Sequence, residues 1–530
     1  MRWMGLALVL LLTVPVAAGE DEAPTRVGPF LGIEGLDLTE PAHRDPERLA
    51  LLQGAAPLLG RTRPLAWGVL EPHPPVMGGR HLRDWEALDP SLAAWTEAGL
   101  DVVLVLDPRS TWASEPVGNS AWRTAVRAAL PEADAEALVA LGRGAMPPLE
   151  ERWADWELLI RDLVERYDGD ETADAPGARL RWIQVVERPA SSRDWIGSAS
   201  EYGRLLNAAS QGAQRASYGV RIVHGLVDFA TLGYPPGRSD AELMEKLLRT
   251  SRKWPEALLF EVRRELELAS LTLSLGGIFS AVPHAASEHL ADERADLISV
   301  RHVLDHGGNQ EAEVWLAATP AERHGSPELE GAHGPDAEEQ RIRSRWVGTA
   351  RRRSDAQYGL ALHWLERGRA CDVVRSLAAG RAAGATRVFV GGSKPGEGLD
   401  VFVAPRTQGG WRRTPAWYAL RQAHRLLAPH TSAHETRIGR ACSACRFEMR
   451  KDATLPWVLL VARDADVSWS GHPRLGPVVR DVAVPLPDGR YIVEQISLGD
   501  GEPKRRDVQV RGGGLQLPLT SAPVWIYPDV

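Results

Sequence analysis

The sequence predicts an α/β protein, a (β/α)8 TIM barrel followed by a small C-terminal all-β sandwich, on three observations. Short apolar runs alternate with amphipathic helical stretches about eight times, which favours a closed parallel barrel over a doubly wound sheet. Several of those runs finish in a charged residue beside proline, as expected at the barrel edge where reactive groups gather. Near Pro429–Glu435 the helical periodicity stops, and only short apolar runs with turn residues between them follow.

The individual elements follow from local pattern. Leu65–Leu70 is a strand candidate ending at Glu71-Pro72. Asp101–Leu106 (DVVLVL) is continuously apolar after its first residue, the signature of a strand buried on both faces, and runs into Asp107-Pro108. Trp182–Val186 ends at Glu187-Arg188-Pro189, and Val220–Val223, Leu297–Val300, Val314–Leu316 and Arg387–Val390 are the further strand candidates. Helical spacing predicts Trp153–Tyr167, Glu201–Ala216, Ala241–Ser251 and Gln340–Arg353 between them. Trp122–Pro148 and Pro235–Ser280 are helix-rich stretches longer than a minimal barrel needs, and Glu261, Glu265 and Glu267 mark a solvated helix face. Leu455–Ala462, Val478–Pro485, Tyr491–Ile496 and Val524–Tyr527 are the sandwich strands, with Asp488-Gly489 and Gly512-Gly513-Gly514 among the turns. The expected division is a signal peptide over 1–18, the barrel over 25–430 and the sandwich over 431–530.

Composition sets limits on function. Lys+Arg 62 against Asp+Glu 70 gives a net charge of −8 over 530 residues, which excludes a strongly basic polyanion-binding surface and argues against a nucleic-acid partner. The basic run Arg341–Arg353 falls on a helix and is read as a solvated face. Arg2, the apolar Gly5–Val16 and the small residues to Ala18 form a secretory signal, so the mature protein is expected to be secreted or periplasmic. An uncleaved anchor is the alternative for that segment; no apolar run is long enough to span a bilayer. Three cysteines exclude a disulfide scaffold, and the Cys442–Cys445 pair stands alone, open to a small disulfide, with no second pair for zinc. Cys371 lies in a helical context and is expected to be a buried thiol. No metal, phosphate-loop or dinucleotide motif is present, so neither metal nor cofactor is expected. The 19 Trp, against 8 Tyr and 7 Phe, suit either sugar-stacking clefts or a large aromatic core.

One set of motifs goes further. Trp67-Gly68-Val69-Leu70-Glu71-Pro72, then Leu82, Trp85 and Leu88-Asp89, then Gly99-Leu100-Asp101 recur in a fixed order. Glu165-Arg166-Tyr167-Asp168-Gly169 precedes Ile183–Pro189, with Trp195 and Glu201-Tyr202 after it. Asp296–His302, Val314–Thr319, Gly384–Val390 and Thr414–Trp417 complete the series. In this order the motifs resemble retaining glycoside hydrolases of the large (β/α)8 clan, in which a C-terminal sandwich is a common companion. The resemblance implies carbohydrate as partner and two carboxyls about 5 Å apart, one protonating the leaving oxygen and one attacking the anomeric carbon. It places the first after strand four and the second at the end of strand seven.

Both positions are altered here. Anchoring strand four on Gln184-Val185-Val186 and Pro189 puts Arg188 where the acid/base glutamate belongs, and a guanidinium stays protonated. A one-residue shift makes Glu187 the acid but turns its neighbours to the wrong face. Ala318 occupies the nucleophile position. The resemblance therefore implies a degenerate centre, with Glu187 and Arg188 expected to form an ion pair in it. Glu71, Asp107, Trp112, Glu187, Arg188, Trp195, His302 and Trp315 are the candidate ligand-binding residues. Helix capping or arginine pairing is the structural alternative for Glu71 and Asp107, and core packing for the aromatic residues, Trp67 among them. The expected function is a glycan-binding or scaffold protein; the alternative is an active glycosidase using Glu187 with Glu71, Asp107 or Glu322.

Overall fold

A computed structural model describes residues 30–55, 58–76, 79–115, 145–189, 194–197, 199–217, 219–227, 277–281, 313–318, positions between 366 and 391, and 398–406 and 409–427. It further describes 434–438, 444–449, 457–462, 480–495, 503–519 and 523–529. The signal-peptide segment, His302, Glu322 and Cys442 lie outside the described residues, as do the strand expected at Leu297–Val300 and the helices expected at Ala241–Ser251 and Gln340–Arg353.

Nine strands form the first sheet: β1 (Leu31–Leu36), β2 (Leu58–Thr62), β3 (Leu65–Ala66), β4 (Leu100–Asp107), β5 (Trp182–Val185), β6 (Arg221–Val227), β7 (Gly277–Ala281), β8 (Glu313–Ala318) and β9 (Arg387–Val390). β1 pairs with both β2 and β9, and β2 pairs with β4. The remaining parallel pairings run from β4 through β5, β6, β7 and β8 to β9. Eight of the strands therefore close on themselves, all parallel, and β3 is a two-residue extension alongside the end of β4. The chain is a (β/α)8 barrel.

Two expectations are corrected. Leu65–Leu70 is not a barrel strand: only Leu65–Ala66 is extended, Trp67–Leu70 is one helical turn, and the barrel strand at this position is Leu58–Thr62. An apolar run this short does not distinguish helix from strand by periodicity. The sixth barrel strand is Gly277–Ala281, which the sequence pattern places within a helix-rich stretch. The first strand, Leu31–Leu36 (LGIEGL), was not foreseen, because its glycines and Glu34 interrupt the apolar signature.

Alternation on the strands splits the core in two. One set of side chains packs outward against the helices α1 (Pro46–Gln53), α2 (Leu88–Glu97), α3 (Trp153–Tyr167), α4 (Ala199–Ala216) and α5 (Pro415–Leu427). The other set, Leu59, Val103, Trp182, Val223, Trp315 and Phe389, fills the barrel interior. Gly32 on β1 is needed there, since a Cβ would overlap the Phe389 ring. At the lower end of this layer Glu313 accepts from Trp315 Nε1 at 2.6 Å and pairs with Arg387, whose guanidinium stacks on Trp182.

After the barrel come the hairpin β10 (Val403–Pro405) and β11 (Trp411–Arg413), and then a sandwich. One of its sheets holds β12 (His434–Ile438), β13 (Ala444–Met449), β14 (Trp457–Ala462), β16 (Gly489–Gln495), β17 (Lys504–Val510) and β19 (Val524–Pro528); the other pairs β15 (Arg480–Pro485) with β18 (Gly514–Leu519). A single apolar cluster joins Val458, Tyr491 and Ile526 of the first sheet to Val482, Val484 and Leu517 of the second, which defines the two as facing layers. The sandwich is fixed to α5 by Glu494, fully buried, which accepts from Gln422 at 2.7 Å, Arg505 at 2.8 Å and Tyr527 at 2.5 Å and pairs with Arg425. Those donors hold the Glu494 carboxyl below its ordinary range against the opposing effect of burial.

Candidate functional site

The barrel interior changes character toward the carboxyl ends of the strands. Two residues above Leu59 on β2 stands Arg61, and two above Trp182 on β5 stands Gln184; Glu34 extends from β1 beside them. All three are buried. Arg61 donates to Glu34 at 2.8 Å and to Gln184 Oε1 at 2.7 Å, and lies 3.7 Å from a carboxylate oxygen of Glu187. This layer is the polar floor of the barrel mouth.

Glu187 is delivered by an irregular turn. Val186 leaves β5 with φ +58°, a conformation that costs a β-branched residue about 1–3 kcal/mol. The turn is held by Val186 N donating to Leu106 O at 2.9 Å and by Gln184 Nε2 donating to the carbonyls of Val186 and Glu187, each at 3.1 Å. Gly225 on β6 provides the clearance: a Cβ there would stand 2.5 Å from Pro189 Cδ and 2.6 Å from Val186 O.

Around Glu187 two further carboxyls converge. Asp107, the last residue of β4 and buried, pairs with Arg109 at 2.8 Å and also accepts from its backbone N–H. Asp194 receives Arg188 Nε at 2.5 Å. Burial pushes both carboxyls above the ordinary aspartate value, most of all by desolvation; Arg109 opposes this at Asp107, and Arg188 at Asp194. Each also feels a neighbouring carboxylate, Asp194 for Asp107 and Glu187 for Asp194, so the three carboxyls form one electrostatic group.

The candidates from sequence are only partly brought together. Asp107, Glu187 and Arg188 meet at the mouth, but the expected Glu187–Arg188 pair is replaced by Arg61–Glu187 and Arg188–Asp194. Adjacent residues on a sharp turn point apart, and each finds a partner from elsewhere. Glu71 stands outside the barrel wall: its carboxylate is fully buried, takes Trp67 Nε1 at 3.0 Å and His81 at 2.6 Å, and pairs with Arg83, which reaches on to Asp162 of α3. Trp112 is half-buried, donating to Glu71 O at 2.8 Å with its ring edge-on to Trp67. Trp195 is buried against Tyr202 of α4. Trp315 lies in the interior aromatic layer with no exposed face. Ala318 ends β8, opposite Val390 in the ladder.

Sequence reasoning missed Glu34, Arg61, Gln184 and Asp194. A signal existed for the first three, since each is a polar residue inside an otherwise apolar run (LGIEGL, LLGRT, WIQV), where a buried charge needs a reason. Asp194 lies in a loop, and no local pattern marks it. Among the described residues, the acidic cluster with ligand oxygens within 4.8 Å of one another is Asp168, Asp170 and Asp174, in the loop that follows α3 and leads to the opposite end of the barrel.

Among solved structures, the chain is similar to a family 39 glycoside hydrolase from Bacteroides cellulosilyticus, with a TM-score of 0.53 and 11% identity over 94% of this chain and 81% of that one. It is also similar to a family 39 enzyme from Xanthomonas axonopodis (TM-score 0.49, 12% identity, 94% of each chain). A third is a monomeric beta-xylosidase from Caulobacter crescentus (TM-score 0.49, 12% identity, 94% of this chain and 96% of that one). No protein-family model matches the chain. No curated protein matches it either. Among the described residues no helix is long and apolar enough to cross a membrane. At this identity the first likeness is one of fold, and the fold is the barrel and sandwich found in that glycoside hydrolase.

Proposed function

We propose that this protein binds carbohydrate at the barrel mouth, as an exported glycan-binding or scaffold protein, without the two-glutamate hydrolysis of the clan it resembles. What supports the reading is the pair of residues that the motif resemblance sets at the two key positions. Arg188, aligned with the acid/base glutamate, is tied to Asp194, and the aligned nucleophile position is the alanine that ends β8. Among the described residues of the mouth, Glu187 lies against Arg61 and Asp107 pairs with Arg109. Such a surface offers fixed donors and acceptors to sugar hydroxyls.

The test uses the mature protein with a panel of polysaccharides and aryl glycosides, following both product release and retention. The expected result is no release by wild type, Glu187→Gln or Arg188→Glu, with saturable retention of one polysaccharide that Glu187→Gln weakens. Turnover by wild type that Glu187→Gln abolishes would overturn it.

One observation favours a second reading. Burial holds Asp107 and Asp194 above the usual aspartate range, the direction a proton donor requires. A relocated acid pair would make the protein a glycosidase, and turnover lost in Asp194→Asn would identify it.

A further inference from the structure

The turn that carries Glu187 costs stability, and buried polar groups from β5, β6 and α4 hold it. Val186 is a buried valine with φ +58°, although its neighbours on β5 are regular. Gln184 is fully buried and committed at both ends: its oxygen fixes Arg61 at 2.7 Å, and its nitrogen donates to the carbonyls of Val186 and Glu187, which flank the Glu187 Cα, at 3.1 Å each. The Tyr202 hydroxyl closes the assembly from the helix side, donating to Val185 O and accepting from Gly225 N, both at 3.0 Å. Gly225 in turn leaves the space in which the turn lies.

We propose that Gln184 is the positioning residue of the site: through one amide it sets both the Arg61 guanidinium and the turn, and so fixes where the Glu187 carboxylate meets a ligand. The inference rests on Glu187 being a ligand contact, as proposed above, and adds what holds it there. A barrel strand needs no such device for its own stability. A regular exit from β5 would avoid the left-handed valine, and an apolar side chain at 184 would continue the interior layer below. Val186 and Gly225 act with Gln184, the first by turning the chain and the second by admitting it.

The test compares crystal structures and polysaccharide retention for wild type, Gln184→Met, Gln184→Glu and Val186→Gly. Methionine keeps the volume and loses both hydrogen-bonding ends; glutamate keeps the acceptor for Arg61 but faces the two carbonyls with a carboxylate. The expected result is a Glu187 carboxylate displaced from Arg61, or spread over several conformers, in Gln184→Met and Gln184→Glu with the barrel still folded, while Val186→Gly, whose glycine takes the left-handed conformation without strain, keeps Glu187 in place. Retention on xylan, laminarin, carboxymethylcellulose or polygalacturonate gels, whichever retards the wild type, should weaken about tenfold in both Gln184 variants, the loss expected for one misplaced charged hydrogen bond. Glu187 found in its wild-type place in both Gln184 variants overturns the proposal, as does wild-type retention in both. A wild type that no polysaccharide retards, with Glu187 displaced in those variants, overturns the carbohydrate reading and supports the positioning role.

Discussion

Acid sensitivity is built into buried neutral histidines, of which His224 is the one beside the Glu187 turn. Its Nδ1 is 2.8 Å from Gly225 O, which makes that nitrogen the protonated one, and the buried ring stands edge-on to Tyr202. Burial pulls its pKa from 6.5 to about 4. The folded protein therefore declines a proton that the unfolded chain accepts, so stability is fully present above pH 6.5 and is lost as the pH falls toward 4. At about 1.4 kcal/mol per decade the loss approaches 3 kcal/mol, a large share of a domain's stability. His43 has the same sign and also falls to about 4, chiefly by burial and then by Arg48; its Nδ1 accepts from Asp37 N, so protonation there also breaks a hydrogen bond. Asp107 acts oppositely, because a carboxyl raised by burial regains stability as it protonates. The assay is urea unfolding followed by Trp fluorescence at intervals from pH 7 to 4.5, for wild type and His224→Asn. Asparagine keeps a donor toward Gly225 O and does not titrate. The variant starts about 2 kcal/mol lower at neutral pH through lost ring contacts. Its stability should fall less steeply on acidification, by about 1.4 kcal/mol per pH unit near pH 5. Equal slopes in the two proteins would refute the assignment to His224.

Gly225→Ala should destabilise by about 1–3 kcal/mol and displace the Glu187 turn, since the new methyl meets Pro189 and the Val186 carbonyl; thermal melting and a crystal structure check it. Glu71→Gln should cost about 3 kcal/mol by leaving Arg83 buried against a neutral group, yet leave polysaccharide retention untouched, because the carboxylate lies outside the barrel wall. Glu494→Ala should cost about 3–5 kcal/mol and split thermal unfolding into separate barrel and sandwich transitions by calorimetry, since Gln422 and Arg425 of α5 lose their common acceptor.

The barrel was legible wherever a strand is apolar on both faces. DVVLVL was assigned within a residue at each end because both its neighbours, the interior and the helix layer, are hydrophobic. Two of the strands that failed to register contribute to the mouth: β1 carries Glu34 and β2 carries Arg61, so neither reads as continuous core. The site was legible in part for the same reason. Asp107 and Glu187 follow strands whose ends are visible in the sequence, whereas Asp194 reaches the mouth through a loop, and Arg61 arrives from a strand more than a hundred positions before Gln184. Glu71 shows the converse error. A Glu-Pro after an apolar run looks like a strand end, but the run closes into a helical turn that carries the carboxylate behind the wall, where Trp67, His81 and Arg83 claim it.

The polar floor is the strongest argument that the mouth serves a ligand. One layer down, the same strands fill the barrel with Leu59 and Trp182, so this geometry accommodates apolar packing. Replacing a buried ion pair by apolar groups of similar volume is commonly neutral or stabilising by about 1–4 kcal/mol. An apolar pair in place of Glu34 and Arg61 is therefore expected to fold, and a ligand at the mouth would account for the buried charges. The paired substitution Glu34→Leu with Arg61→Met separates the two roles. Stability should stay within about 2 kcal/mol of wild type by urea unfolding, the apolar pair offsetting the loss of the guanidinium beside the largely buried Glu187, while retention of the polysaccharide that slows the wild type should vanish. A stable double variant that still binds as wild type would show the floor to be scaffolding, and the ligand would then have to be sought at Asp107, Arg109 and Asp194 on the rim.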